Sequence, residues 1–103
     1  MNRLEFSPLA QADLEAIGDY IAQDSPANAA QIIEKLRLQC DRLSRTPLAY
    51  VARPELGIGL RSCAYGRYVI FFRPARNAVR IERVLHSARD IRSELAGDDD
   101  SRE

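Results

Sequence analysis

The sequence predicts an α+β domain in which an antiparallel helical hairpin packs on one face of a mostly antiparallel sheet. Three observations carry this expectation. Two apolar stripes at helical spacing each open with a Ser-Pro pair. Three strand-like runs follow later in the chain, joined by short turns. One short strand precedes the helices. The expected order is β-α-α-β-β-β with a short helical end. At 103 residues the chain suffices for one domain with a modest core and is too short for two.

RLEFS, residues 3–7, reads as the opening strand, with Leu4 and Phe6 on one face. Ser7 then offers a cap and Pro8 fits the first helical position, where no N–H is needed. Ala10, Leu14, Ile17 and Ile21 form one helical stripe, and Asp13, Glu15 and Asp19 lie off it, so this helix should end near Ala22. Ser25-Pro26 repeats the start signal. Ala29, Ile33, Leu36, Cys40 and Leu43 continue a second stripe to about Arg45. The short Gln23-Asp24 connection makes the two helices antiparallel neighbours, and both stripes read as core packing.

Residues 46–59, TPLAYVARPELGIG, carry two prolines and two glycines with no clear period and read as a loop. LRSCA (60–64) and RYVIFFR (67–73) read as strands joined at Tyr65-Gly66. PARN (74–77) reads as the next turn. AVRIERVLH (78–86) is a third strand, with Val79, Ile81 and Leu85 expected on one face and Arg80, Glu82 and Val84 on the other. Residues 87–95 suggest a short helix. The domain is expected to span 1–95, and the acidic stretch 96–103 is expected to be a disordered tail. The sheet face away from the hairpin is expected to stay open to solvent or a partner.

Nearly half the residues are apolar and over a quarter charged, the mix of a soluble globular protein. No apolar run approaches the roughly 20 residues needed to cross a bilayer, and no basic segment followed by an apolar one marks a signal peptide. The expected location is the cytoplasm, with no membrane partner. Cys40 and Cys63 stand far apart in apolar contexts, with one distant histidine. That is too few ligands for a structural zinc site, so no metal and no cofactor are expected. Net charge is zero but uneven. Residues 53–92 hold nine arginines against three acids, a balance of +6, whereas residues 93–103 balance at −4. The basic half points to an anionic partner: phosphate, nucleic acid or an acidic protein segment.

Four stretches add to this. SPLAQADLEAIGDYIA near the start, RPELGIGLRS before the second strand, GRYVIFFR, and RVLHSARDI at the end span roughly residues 3 to 92. Their order and spacing resemble the ParE/RelE superfamily, the toxins of bacterial type II toxin–antitoxin pairs, and within it the ParE branch. The resemblance implies a compact sheet with the helical hairpin on one face. It implies a cognate, ParD-like antitoxin whose C-terminal segment wraps the toxin in a hetero-oligomer. For ParE-like members it implies DNA gyrase as the target, with no cofactor, no metal and no direct sequence-specific binding of nucleic acid.

The superfamily also contains RelE-like endoribonucleases that cut messenger RNA on the ribosome, which is the alternative function. Such a reaction needs a proton acceptor, cations for the phosphate and a proton donor for the leaving oxygen. His86 is the candidate general acid or base. Glu82 lies four residues earlier on the same strand face, because strand side chains alternate. Arg61 and Arg83 would supply cations. His86, Arg61 and Arg83 are therefore the catalytic set an enzyme would use. Against it, RelE-like enzymes commonly carry a catalytic lysine or a glutamate–histidine pair, and often a tyrosine after the last strand. Here Lys35 is the single lysine, in a helix, and no tyrosine follows Tyr68. The reading is of a protein that binds, with His86 a strand-end structural residue. Arg61, Tyr68, Arg73, Arg80 and Arg89 are the candidates for partner contact.

Overall fold

The computed structural model describes residues 2–97. Strand β1 (Arg3–Phe6) leads into helices α1 (Pro8–Ala22) and α2 (Pro26–Arg45). A single 3-10 turn at Pro47–Ala49 leads to strands β2 (Val51–Ala52), β3 (Arg61–Tyr65), β4 (Tyr68–Ala75) and β5 (Ala78–His86), and helix α3 (Ile91–Gly97) closes the chain. The sheet runs β1-β5-β4-β3-β2. β1 lies parallel to β5, and the other pairings are antiparallel. This is the expected α+β architecture.

Both long helices begin as their Ser-Pro pairs predict. The Ser7 hydroxyl accepts from the Ala10 N–H at 2.9 Å, and the Ser25 hydroxyl accepts from Asn28 at 3.2 Å. Gly18 faces Ile33 across the hairpin, where a Cβ would make an ordinary contact 3.4 Å from Ile33 Cγ1. The hairpin places Leu14, Leu36, Cys40 and Leu43 against Cys63, Ile70, Phe72, Val79, Ile81 and Val84 of the sheet. Burying a side chain such as Phe72 completely stabilises the fold by about 1.5–3 kcal/mol. Burial pushes the Cys40 thiol up to about 12; the nearby Cys63 adds to this and Arg37 opposes it. Burial also raises Cys63, against a hydrogen bond donated to its sulfur by Gln39 at 3.3 Å.

Four departures from the sequence reading have physical causes. Residues 51–52 of the expected loop pair with β3 as a short edge strand. The β3–β4 turn lies one residue later than expected, at Gly66-Arg67. Gly66 supplies the positive φ of 59° that a two-residue hairpin needs at its first position. β4 runs on through Pro74 to Ala75, and the following turn is Arg76-Asn77, with Asn77 left-handed at φ 62°. Proline is tolerated there because β3 pairing stops at Phe72, so the Pro74 nitrogen faces no ladder. α3 starts at Ile91 rather than 87 and includes Ala96 and Gly97; the remainder of the expected tail, 98–103, lies outside the described residues.

A further departure is a bulge. Phe71 pairs with Arg83 but Phe72 pairs with Ile81, leaving Glu82 as an extra residue in β5. Alternation therefore reverses across Glu82. Val84 joins Val79 and Ile81 on the helix-facing side, and Leu85 moves to the opposite one. The expected assignment of Leu85 and Val84 is thus exchanged. The second face is also less open than expected. Leu60, Phe71, Leu85 and Leu95 are buried together there, with Leu56, Val69 and Ile91 packed around them, so α3 and the segment before β3 cover it in part.

Candidate functional site

The second half of β5 has no strand neighbour on one side, because β1 stops at Phe6, opposite Ile81. α1 takes over where β1 ends. The Ser7 N–H donates to the Ile81 carbonyl at 2.9 Å and its hydroxyl to the Glu82 carbonyl at 2.7 Å. Nearly two turns later, Asp13 accepts from the Val84 N–H at 2.9 Å and from two Arg83 nitrogens at 2.7 and 2.9 Å. Arg83 is 8% exposed and also reaches the Glu94 carbonyl at 3.4 Å and its carboxylate at 3.9 Å. The side chain thus ties α1, β5 and α3 together. Asp13 lies off the α1 stripe and reads from sequence as a surface acid. Its position one residue before buried Leu14 is the available hint of this role.

Beside that edge lies an open groove of about 1030 Å³ between the helical hairpin and the ends of β4 and β5. Ile17, Tyr20 and Ile32 line its helical wall; Tyr65, Tyr68 and His86 line the strand side, with Arg67 and Arg89 also lining it. Tyr20 is 74% exposed, unusually open for a large ring at the lip of a groove. The His86 ring stands edge-on to Tyr68, with centroids 5.5 Å apart. Its Nδ1 accepts from the Ala88 N–H at 3.0 Å, and its carbonyl accepts from Arg89. One imidazole nitrogen is therefore occupied in the turn that ends β5. Arg89 pairs with Glu94 at 3.2 Å. Sequence reading found Tyr68, His86 and Arg89 but missed Tyr20, Tyr65 and Arg67, which come together only through folding.

A second cleft, of about 310 Å³, lies on the other face, lined by Arg73, Arg80 and Glu82 with Leu9, Leu56, Leu60 and Leu95 as apolar walls. Arg73 and Arg80 are cross-strand partners. Both contact the single Glu82 carboxylate, at 3.3 and 3.5 Å. Arg73 also donates to the Ile58 carbonyl at 2.8 Å. The bulge thus turns Glu82 toward these arginines and His86 toward Tyr68, so the two are not on one face as regular alternation would have them.

Arg61 stands apart from both grooves. It donates to the Tyr50 carbonyl at 2.6 Å, and its partner on β4 is Phe72, four residues (roughly 13 Å along the strand) from the Tyr68 that pairs with His86. The structure therefore brings Tyr68, His86 and Arg89 to one groove and Arg73 and Arg80 to another, while Arg61 and Arg83 are held in structural contacts elsewhere. Among the described residues no three His, Cys, Asp or Glu side chains converge where a metal ion would sit, and no helix is long and apolar enough to cross a membrane.

A helical hairpin and a short C-terminal helix on a five-stranded mixed sheet, with grooves at the hairpin edge and under the last helix, define the class: the small α+β toxins of toxin–antitoxin modules. The model for the ParE toxin of type II toxin–antitoxin system, parDE, matches residues 4–91, and the chain belongs to that family. A solved structure, the chromosomal ParDE TA system from P. aeruginosa, is similar at a TM-score of 0.71 and 25% sequence identity, over 84% of this chain and 96% of that one. No curated protein sequence matches the chain.

Proposed function

We propose that this ParE-family toxin acts in the cytoplasm by binding DNA gyrase, without a reaction of its own, and is neutralised by a ParD-like antitoxin in a hetero-oligomer. The observation that carries the reading is the β5 bulge. It places Glu82 and His86 on opposite sides of the sheet, so the glutamate–histidine pair, one of the arrangements RelE-like enzymes use, is not assembled. Arg83 is neutralised by Asp13, and Lys35 stands exposed on α2. Family membership supports the toxin side of the proposal.

The hairpin-edge groove suits the antitoxin. Apolar and aromatic walls with arginines among them fit an amphipathic segment carrying acids, the helix-in-groove mode of recognition. Arg89, Arg67 and Tyr68 are the contacts we assign there, and Arg73 and Arg80 form a separate acidic-group site.

The test is a paired assay. Purified protein is added to a gyrase supercoiling and cleavage reaction and, in parallel, to a translating extract whose transcript ends are mapped. The expected result is gyrase inhibition with intact transcripts, relieved by a ParD-like antitoxin. New codon-phased transcript cuts that vanish in His86→Ala would replace this reading with the RelE-type ribonuclease.

A further inference from the structure

The loop between β2 and β3 turns an isoleucine outward. Leu56, Ile58 and Leu60 alternate along it. Leu60 is buried and Leu56 packs against the second core, whereas Ile58 is 92% exposed. The loop around Ile58 is tied down. The Arg53 N–H donates to the Leu60 carbonyl at 2.7 Å, the Leu60 N–H to the Gly57 carbonyl at 3.1 Å, and Arg73 Nε to the Ile58 carbonyl at 2.8 Å. Gly59 takes the left-handed φ of 74° that closes the turn. A single exposed aliphatic is ordinary on a protein surface. This one is fixed in place beside a charged cleft.

The arginine that holds the Ile58 carbonyl also reaches Glu82, at 3.3 Å, and its cross-strand partner Arg80 reaches the same carboxylate at 3.5 Å. Two guanidiniums therefore share one acid. Arg80 is 46% exposed and donates no side-chain hydrogen bond among the described residues, so it keeps donors for a second carboxylate. Leucines wall the cleft, no aromatic ring lines it to stack a base, and Glu82 would repel a phosphate placed between the arginines. The chemistry favours a protein segment that offers an acidic side chain to Arg80 and an apolar hollow to Ile58. The cleft shares no lining residue with the hairpin-edge groove, so the two surfaces can serve two partners.

We propose that Ile58 and Arg80 form the surface with which this toxin grips its protein target, separate from the groove assigned to the antitoxin. The proposal rests on the reading of the protein as a toxin that acts by binding; it does not require that the target be gyrase.

The test measures growth arrest against the amount of toxin per cell for Ile58→Asp, Arg80→Glu and Arg80→Lys. Leu48→Asp, at an exposed leucine outside both clefts, is the control. Urea midpoints and affinity for the ParD-like antitoxin are measured on the purified chains. Ile58→Asp and Arg80→Glu should each need about tenfold more toxin, or more still, for equal arrest, with antitoxin affinity within about twofold of the parent chain. Arg80→Lys should lose less, because it keeps the charge without the planar fork. Leu48→Asp should arrest growth like the parent, and all four should unfold at the parent midpoint. Undiminished arrest by Ile58→Asp and Arg80→Glu would overturn the proposal. So would an antitoxin affinity that falls in step with arrest, which would give the patch to the antitoxin. A dimer of the parent chain in sedimentation that Ile58→Asp dissociates would give it to a second copy instead. Arrest is read whatever the target, so a failure of gyrase as that target is seen separately, in the supercoiling reaction.

Discussion

Asp13→Ala should be the most damaging single polar change in the protein. The substitution leaves the Arg83 guanidinium buried without its bidentate partner and strips the Val84 N–H of its acceptor. The side chains of the pair are only 10% and 13% exposed, so water screens the loss poorly. Removing one partner of such a pair costs about 3–5 kcal/mol. Glu94 still lies near Arg83, at 3.9 Å through its carboxylate, and returns part of this. The low end, about 3 kcal/mol, is the expectation. In a domain of this size each kcal/mol lowers the melting temperature by roughly 4–8 °C, so the loss should exceed about 10 °C. Asp13→Asn keeps an acceptor for Val84 and should cost less, about 1–2 kcal/mol. The assay is urea unfolding of both variants and of the pair Asp13→Leu with Arg83→Met. In the pair no buried charge is stranded, so it should recover much of the stability lost by Asp13→Ala. A loss below about 1 kcal/mol for Asp13→Ala would refute the reasoning, because it would mean that Arg83 is solvated and that the β5 edge does not depend on α1.

His86→Ala removes the acceptor for Ala88 and the edge contact with Tyr68, so urea unfolding should show a loss of about 1 kcal/mol. Growth arrest on expression should persist, and abolished arrest in a fully folded variant would restore a chemical role to the imidazole. Leu95→Ala should cost about 2 kcal/mol and expose the Phe71 and Leu85 face to a hydrophobic dye; a loss under about 0.5 kcal/mol would mean that α3 does not cover that face. The thiol of Cys40 predicts an alkaline effect. Its pKa is raised in the fold, from 9.0 to about 12, so the unfolded chain releases the proton first. The corresponding stability is fully present below pH 9 and is lost as pH rises from there toward about 12, with a slope approaching 1.4 kcal/mol per pH unit. Denaturant midpoints measured across that window should fall more steeply than in Cys40→Ala, and parallel curves would contradict it.

Much of the fold was legible because its signals are local. The Ser-Pro pairs name both helix starts, since capping and the fixed φ of proline act within one turn. The stripes name the buried residues of α1 and α2. The turns were legible only to within a residue or two, because Gly66 and Asn77 each mark a left-handed position without fixing how far the strands continue beyond it. The site was less legible, and the reason is the extra residue at Glu82. The bulge leaves only a faint mark in AVRIERVLH, the adjacent polar pair Glu82-Arg83, after which the alternation begun by Val79 and Ile81 resumes at Val84. Counting straight through it brings Glu82 and His86 together and so creates an apparent catalytic pair. With one residue set aside, the pair separates. Glu82 turns to Arg73 and Arg80, His86 turns to Tyr68, and Val84 rather than Leu85 enters the main core. The bulge lies where β1 ends. Once β1 ends at Phe6, β5 has no strand neighbour on that side, and the Ser7 hydroxyl, rather than a ladder N–H, meets the carbonyl of the extra residue. The bulge beside this truncated edge, where α1 docks through Ser7 and Asp13, sorts the acid and the histidine onto different surfaces: Glu82 to the cleft with Arg73 and Arg80, and His86 to the groove with Tyr68.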